Sequence, residues 1–198
     1  IEAQMDYRKT PGMSIGIVYD QDLIYAKGFG FADVEKKVPV TPQTIFRIAS
    51  VTKTFTAAAI MQLRDQGRLQ LDDPIDKYLP WFRIKNKYPE APRITIRHLI
   101  THTSGLPREA AFPYWTDNKF PTRTEMIQAL ETQETIFPSE THLKYSNLAI
   151  TLAGEIIVAI TGISYDEFIK RNILDPLGMT STTVYFPDVQ KSRLAVGY

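Results

Sequence analysis

The sequence predicts an α+β protein in which a mainly helical domain stands beside part of an antiparallel sheet. Two apolar runs near the N-terminus, Met13–Tyr19 and Leu23–Phe31, flank the polar link Asp20-Gln21-Asp22 and read as a hairpin. The rest of the chain carries helical periodicity over 51–66, 96–101, 124–134, 148–160 and 165–173. The helix at 51–66 is too apolar for a solvated surface and is expected to cross the middle of a domain, and 148–160 is a second apolar helix. Residues 1–49 accordingly read as the first strands of a sheet domain, and 50–198 as a mainly helical domain.

Each element has its own local signals. In the second strand Tyr25, Phe29 and Phe31 share one face while Gly28 and Gly30 share the other, which marks either a close helix approach or a bulge. Thr122-x-x-Glu125 and Ser164-x-x-Glu167 read as capping boxes, and Gly67, Gly105 and Gly162 stand where helices are closed by a left-handed residue. Between Gly105 and Thr122 a long link holds Pro107, Pro113 and Pro121 with Phe112, Tyr114, Trp115 and Phe120. Such aromatics either wall a substrate cleft or pack as the loop's own small core. Tyr114 and Trp115 are the candidates for substrate contact.

Chemistry concentrates at two helix starts. Ser50-Val51-Thr52-Lys53 sets a hydroxyl and an amine three residues apart, hence on one face, where the first apolar helix begins. A neutral amine there can take the serine proton. An ordinary lysine is neutral in only about four molecules in ten thousand at pH 7, so base work needs a fall of about three pKa units. A helix N-terminus supplies about 0.3–1 kcal/mol of the roughly 4 kcal/mol required, which leaves desolvation and a neighbouring group to provide the rest. The alternative is that Ser50 caps the helix and Lys53 is solvated. Tyr145-Ser146-Asn147 opens the second apolar helix: a phenol relays a proton when an ammonium stabilises its anion, and the Asn147 amide can pin a lysine or a substrate amide. Its own alternative is a cap with a packing tyrosine. S-x-x-K and Y-x-N each occur once, and each opens an apolar helix.

Together these motifs resemble the serine β-lactamase and penicillin-binding-protein superfamily, in the branch with Y-x-N as second motif: class C β-lactamases, D,D-carboxypeptidases, D-aminopeptidases and family VIII esterases. Segments 11–18, 46–53, 96–106, 144–147 and 173–179 are also similar to family segments, in the family's order. The resemblance implies the β-lactamase/transpeptidase-like fold, with the C-terminal strands of the sheet missing from this chain. It implies acyl transfer through Ser50, with Lys53 and Tyr145 as the proton-transfer pair and Asn147 on the lysine or the substrate. Substrates are then β-lactams, D-amino-acid peptides or carboxylesters; no cofactor and no metal enter. One departure stands out. The family's third motif, K-T-G or H-x-G, is missing, since no Lys or His stands two before a glycine. That strand would also supply one of two oxyanion-hole amides, the other being the Ser50 N–H, and losing one such donor costs about two to three orders of magnitude in rate. The chain is therefore expected to be the amino-terminal part of a longer enzyme whose sheet a second polypeptide or a C-terminal segment completes. The competing expectation is a silent family member acting as a binding or assembly scaffold.

Composition sets the remaining limits. A net charge of +1 gives no reason to expect nucleic acid or an anionic membrane. The longest apolar stretch, Leu148 to Ile160, is interrupted by Glu155 and does not read as a membrane span. Without cysteine, disulfides, thiol chemistry and zinc–thiolate sites are excluded. His98 and His102 stand four apart, but with no H-E-x-x-H pattern they, like His142, read as structural or surface residues rather than metal ligands. No signal peptide is visible and the first residue is Ile1, which leaves room for a removed leader. The resemblance favours a periplasmic or secreted location.

Overall fold

The computed structural model describes residues 1–112 and 120–198. They form two compact units, Ile1–Ala49 with Thr180–Tyr198, and Ser50–Met179. The final segment, assigned above to the helical domain, groups with the strands. It does so through backbone bonds: Ile45 N–H donates to Arg193 O at 2.8 Å, Ala195 N–H to Ile45 O at 2.9 Å and Val196 N–H to Ala32 O at 2.8 Å.

The first unit opens with α1 (Glu2–Arg8) and an antiparallel sheet of β1 (Gly12–Tyr19), β2 (Asp22–Asp33) and β3 (Val38–Pro39), in the order β1-β2-β3. Tyr19 pairs with Asp22, so the turn is the two residues Asp20 and Gln21 rather than the expected three-residue link. Both have positive φ, 46° and 72°, as a type I′ hairpin turn requires. Strand β3 was not foreseen: it is two residues long and ends in a proline, which lacks a ladder donor and is tolerated at a sheet edge. Gly28 is explained by crowding, though not by a helix. A Cβ there would lie 2.0 Å from the Val40 carbonyl oxygen, so the backbone just after β3 leaves no room for one.

In the second unit α2 (Thr52–Asp65) packs against α5 (Asn147–Thr161), which also carries α3 (Ile96–Ile100) and α6 (Tyr165–Ile169). The α5 face Leu148, Ala149, Leu152, Ala153, Ile156 and Ile157 is buried, and α2 meets the same core with Ala59, Ile60 and Leu63. This stripe repeats every three to four residues, so both helices fix their rotation by burying it. Burial of each such large aliphatic side chain stabilises by about 1.5–3 kcal/mol. Among the described residues no single helix is long and apolar enough to cross a membrane.

Helix ends follow the caps. Ser146 Oγ accepts the Ala149 N–H at 2.9 Å to start α5, and Gly162, at φ 75°, stops it. Thr122 and Glu125 form the expected capping box of α4 (Arg123–Leu130). That helix ends before 134 because the next residues pair elsewhere: Lys85 N–H donates to Gln133 O and Thr135 N–H to Lys85 O, at 3.0 and 3.1 Å. Beyond Ile169 the expected helix continues as a π-helical turn, Lys170–Leu174.

Candidate active site

Ser50 does not cap α2. It lies in a 3₁₀ turn, Ala49–Val51, and the cap position is Val51, which makes no side-chain cap bond. The serine hydroxyl is left for other partners. Lys53 Nζ donates to Ser50 Oγ at 3.2 Å, and Ser50 Oγ shares a hydrogen bond of 2.6 Å with the Tyr145 hydroxyl. The Lys53 ammonium stands 4.8 Å from the centre of the Tyr145 ring. A serine oxygen, an amine and a phenol thus meet in one place, although 95 positions separate Ser50 from Tyr145. The site is not the dry pocket expected from sequence: Ser50 is exposed and Lys53 and Tyr145 are half-buried.

The perturbation falls on the phenol. The Lys53 ammonium beside it, and then the hydrogen bond from Ser50, hold Tyr145 below its ordinary pKa, with partial burial working the other way. A phenolate stabilised by an adjacent ammonium is a competent acceptor for the serine proton.

A beta-lactamase family profile matches residues 1–198. The chain belongs to the beta-lactamase family. It is 38% identical over 186 residues to beta-lactamase-like protein 2 of Dictyostelium discoideum, covering 91% of this chain and 34% of that protein. Among solved structures it superposes on the octameric penicillin-binding protein homologue from Pyrococcus abyssi with a TM-score of 0.85 at 38% identity, covering all of this chain and 46% of that one. It also superposes on the beta-lactamase/D-alanine carboxypeptidase from Yersinia pestis with a TM-score of 0.86 at 30% identity, covering all of this chain and 56% of that one. The chain therefore spans about a third of the curated relative and about half of the solved structures, and its fold is a partial β-lactamase/transpeptidase-like one with helices and a small antiparallel sheet.

Around Ser50, Lys53 and Tyr145 stand groups that sequence spacing did not reveal. The Asn147 amide donates to Glu109 Oε1 at 2.7 Å, and Arg108 Nε donates to the same oxygen at 3.1 Å. The Arg108 guanidinium lies 5.2 Å from the Tyr145 ring centre, and the His102 ring lies against that ring with centroids 4.7 Å apart. His102, Arg108 and Glu109 are all distant from Tyr145 in sequence; the hints were the family-like segment 96–106, which holds His102, and the link from Gly105 to Thr122, which holds the other two. His98 and His142 take structural places. His98 is buried, its Nδ1 accepting the Thr95 N–H at 3.2 Å and its Nε2–H donating to Glu140 at 2.8 Å, while the His142 ring stacks on Phe137 at 4.5 Å. The candidates Tyr114 and Trp115 lie outside the described residues.

The segment 102–108 templates the chain that carries Tyr145. Ile136 N–H donates to Gly105 O at 2.8 Å, Glu140 N–H to Thr103 O at 2.9 Å and Asn147 N–H to Arg108 O at 2.7 Å. Gly105 has φ 69°, and a Cβ there would sit 2.0 Å from the Phe137 oxygen. Gly105→Ala is therefore expected to lower the unfolding free energy by about 1–3 kcal/mol. A urea titration with an unchanged midpoint would contradict this.

Proposed function

We propose that the chain carries the nucleophilic half of a serine hydrolase that forms an acyl-enzyme on Ser50. The observation that carries this reading is the contact of Ser50 Oγ with both the Tyr145 hydroxyl and Lys53 Nζ, at 2.6 and 3.2 Å. Ser50 Oγ attacks the substrate carbonyl carbon while its proton passes to the Tyr145 oxygen, held anionic by Lys53. Tyr145 then gives that proton to the leaving nitrogen or oxygen. Water, deprotonated by the same phenolate, attacks the acyl-serine, releasing the acid and restoring the hydroxyl. Asn147, braced by Glu109, orients the substrate amide. Substrates fall in the class of β-lactams, D-amino-acid peptides and carboxylesters, in keeping with the penicillin-binding and D-alanine carboxypeptidase names of the similar structures.

Incubation with a fluorescent penicillin or a fluorophosphonate should leave a covalent label on Ser50. Absence of label from the complete protein would overturn the reading.

The sheet suggests how the rest of the protein joins. Strand β1 lies at one edge, and Ile17, Val18, Tyr19, Leu23 and Ile24 around the hairpin are exposed. An unpaired apolar edge recruits another strand. Further polypeptide, in cis or from a second chain, is proposed to pair with it. Light scattering of this chain alone should therefore give an associated particle, and a monomer with a cooperative melt would argue against the proposal.

A further inference from the structure

We infer that His102 is a positioning residue that holds the Tyr145 phenol against Ser50, and that it does so only while its ring is neutral. The inference rests on the reading of Ser50 as nucleophile and Tyr145 as its proton partner.

Both peptide N–H groups that flank Tyr145 end on this one residue. Lys144 N–H donates to the His102 carbonyl at 2.7 Å, and Ser146 N–H donates to His102 Nδ1 at 3.2 Å. The imidazole also lies against the Tyr145 ring, with centroids 4.7 Å apart and planes at 36°. The histidine's own backbone has a left-handed φ of 60°, and the residue after it is pinned by Thr103 N–H donating to His98 O at 3.0 Å. Tyr145 is thus gripped before it, behind it and on its face, and its hydroxyl is what meets Ser50.

The grip depends on protonation. Nδ1 accepts a hydrogen bond, so it carries a lone pair, and the ring proton sits on Nε2. A second proton would turn Nδ1 into a donor facing the Ser146 N–H, and that bond would be lost. The charged and titratable groups around the ring are Tyr145 itself, Lys144 beside it in the chain, Lys53 from α2 and, against the same Tyr145 ring, Arg108 with its partner Glu109. Burial and the Lys53 charge hold the His102 pKa below its ordinary value, which keeps the ring neutral at pH 7. On acidification the Ser146 bond is released and the phenol loses its aim.

Two variants test this. His102→Asn tolerates the left-handed backbone and offers an amide oxygen to the Ser146 N–H but does not titrate. His102→Ala offers neither acceptor nor ring. His102→Ala is expected to lower kcat by about a hundredfold with little change in KM, the cost of a small misplacement of a reacting group. His102→Asn should recover a large part of that loss and flatten the acid limb of kcat from a two-proton dependence to the one proton that Tyr145 accounts for. Independently of turnover, the Ser146 backbone amide resonance should shift as His102 titrates in the native chain and stay still in His102→Asn. The inference is overturned by a native kcat in a folded His102→Ala, by an unaltered acid limb in His102→Asn, or by a Ser146 amide indifferent to His102 protonation. Should His102→Ala fail to fold, the Asn variant and the amide titration decide. A native protein that takes no label on Ser50, yet shows the amide titration, would instead refute the catalytic reading and leave the clamp standing.

Discussion

Ser50→Ala is expected to abolish covalent labelling and to lower turnover by at least about three orders of magnitude, the scale seen when a nucleophile is removed. The variant tests chemistry cleanly because the side chain does little for the fold. Ser50 is exposed and donates no helix cap, so its stability should stay within about 0.5 kcal/mol of the native chain. What it loses is the oxygen that Lys53 and Tyr145 converge on. The other hydroxyl at the site, the Tyr145 phenol, is the group read here as the base. Label retained at the native level in Ser50→Ala would remove the serine from the mechanism.

Tyr145→Phe should cost about two to four orders of magnitude in the rate of acylation, the usual contribution of a positioned acid–base group. Phenylalanine keeps the ring that packs on His102 and faces Lys53 and Arg108, so the loss isolates the hydroxyl. The pH dependence has a definite sign. Lys53 first, and Ser50 second, lower the pKa of this phenol, so its anionic form is populated at lower pH than in a free tyrosine. The rate of acylation should therefore rise with pH through that lowered value. Lys53→Met removes the largest cause of the shift and should move both the rate limb and the ultraviolet titration of Tyr145 toward higher pH. A native rate in Tyr145→Phe, or a tyrosine titration unmoved by Lys53→Met, would show that the phenol is not the proton acceptor.

The elements that were legible in the sequence share one property: short range. Ser50 and Lys53 were placed together by helix periodicity, and the structure keeps them 3.2 Å apart. The Thr122–Glu125 capping box and the Gly162 stop are set by backbone groups within one helical turn. Where local readings failed, a distant partner had intervened. The α4 helix stops at Leu130 because residues 133–135 pair with Lys85, and Ser50, in the 3₁₀ turn before α2 rather than at its cap, gives its hydroxyl to Tyr145. The expected dry pocket gave way to an exposed Ser50 beside half-buried Lys53 and Tyr145, and the phenol is the group held below its ordinary pKa.

By itself the sequence determined the family, the β1–β2 hairpin, the principal helices and the identity of the groups at two helix starts, because periodicity, capping and turn chemistry act between near neighbours. The tertiary structure alone decided that the start of α5 meets the start of α2, that Glu109 takes the Asn147 amide, and that His102 grips both sides of Tyr145. Those juxtapositions follow from burying the apolar stripes of α2 and α5 in one core. That burial is non-directional and proportional to area, so it leaves no spacing in the chain from which the meeting point can be read.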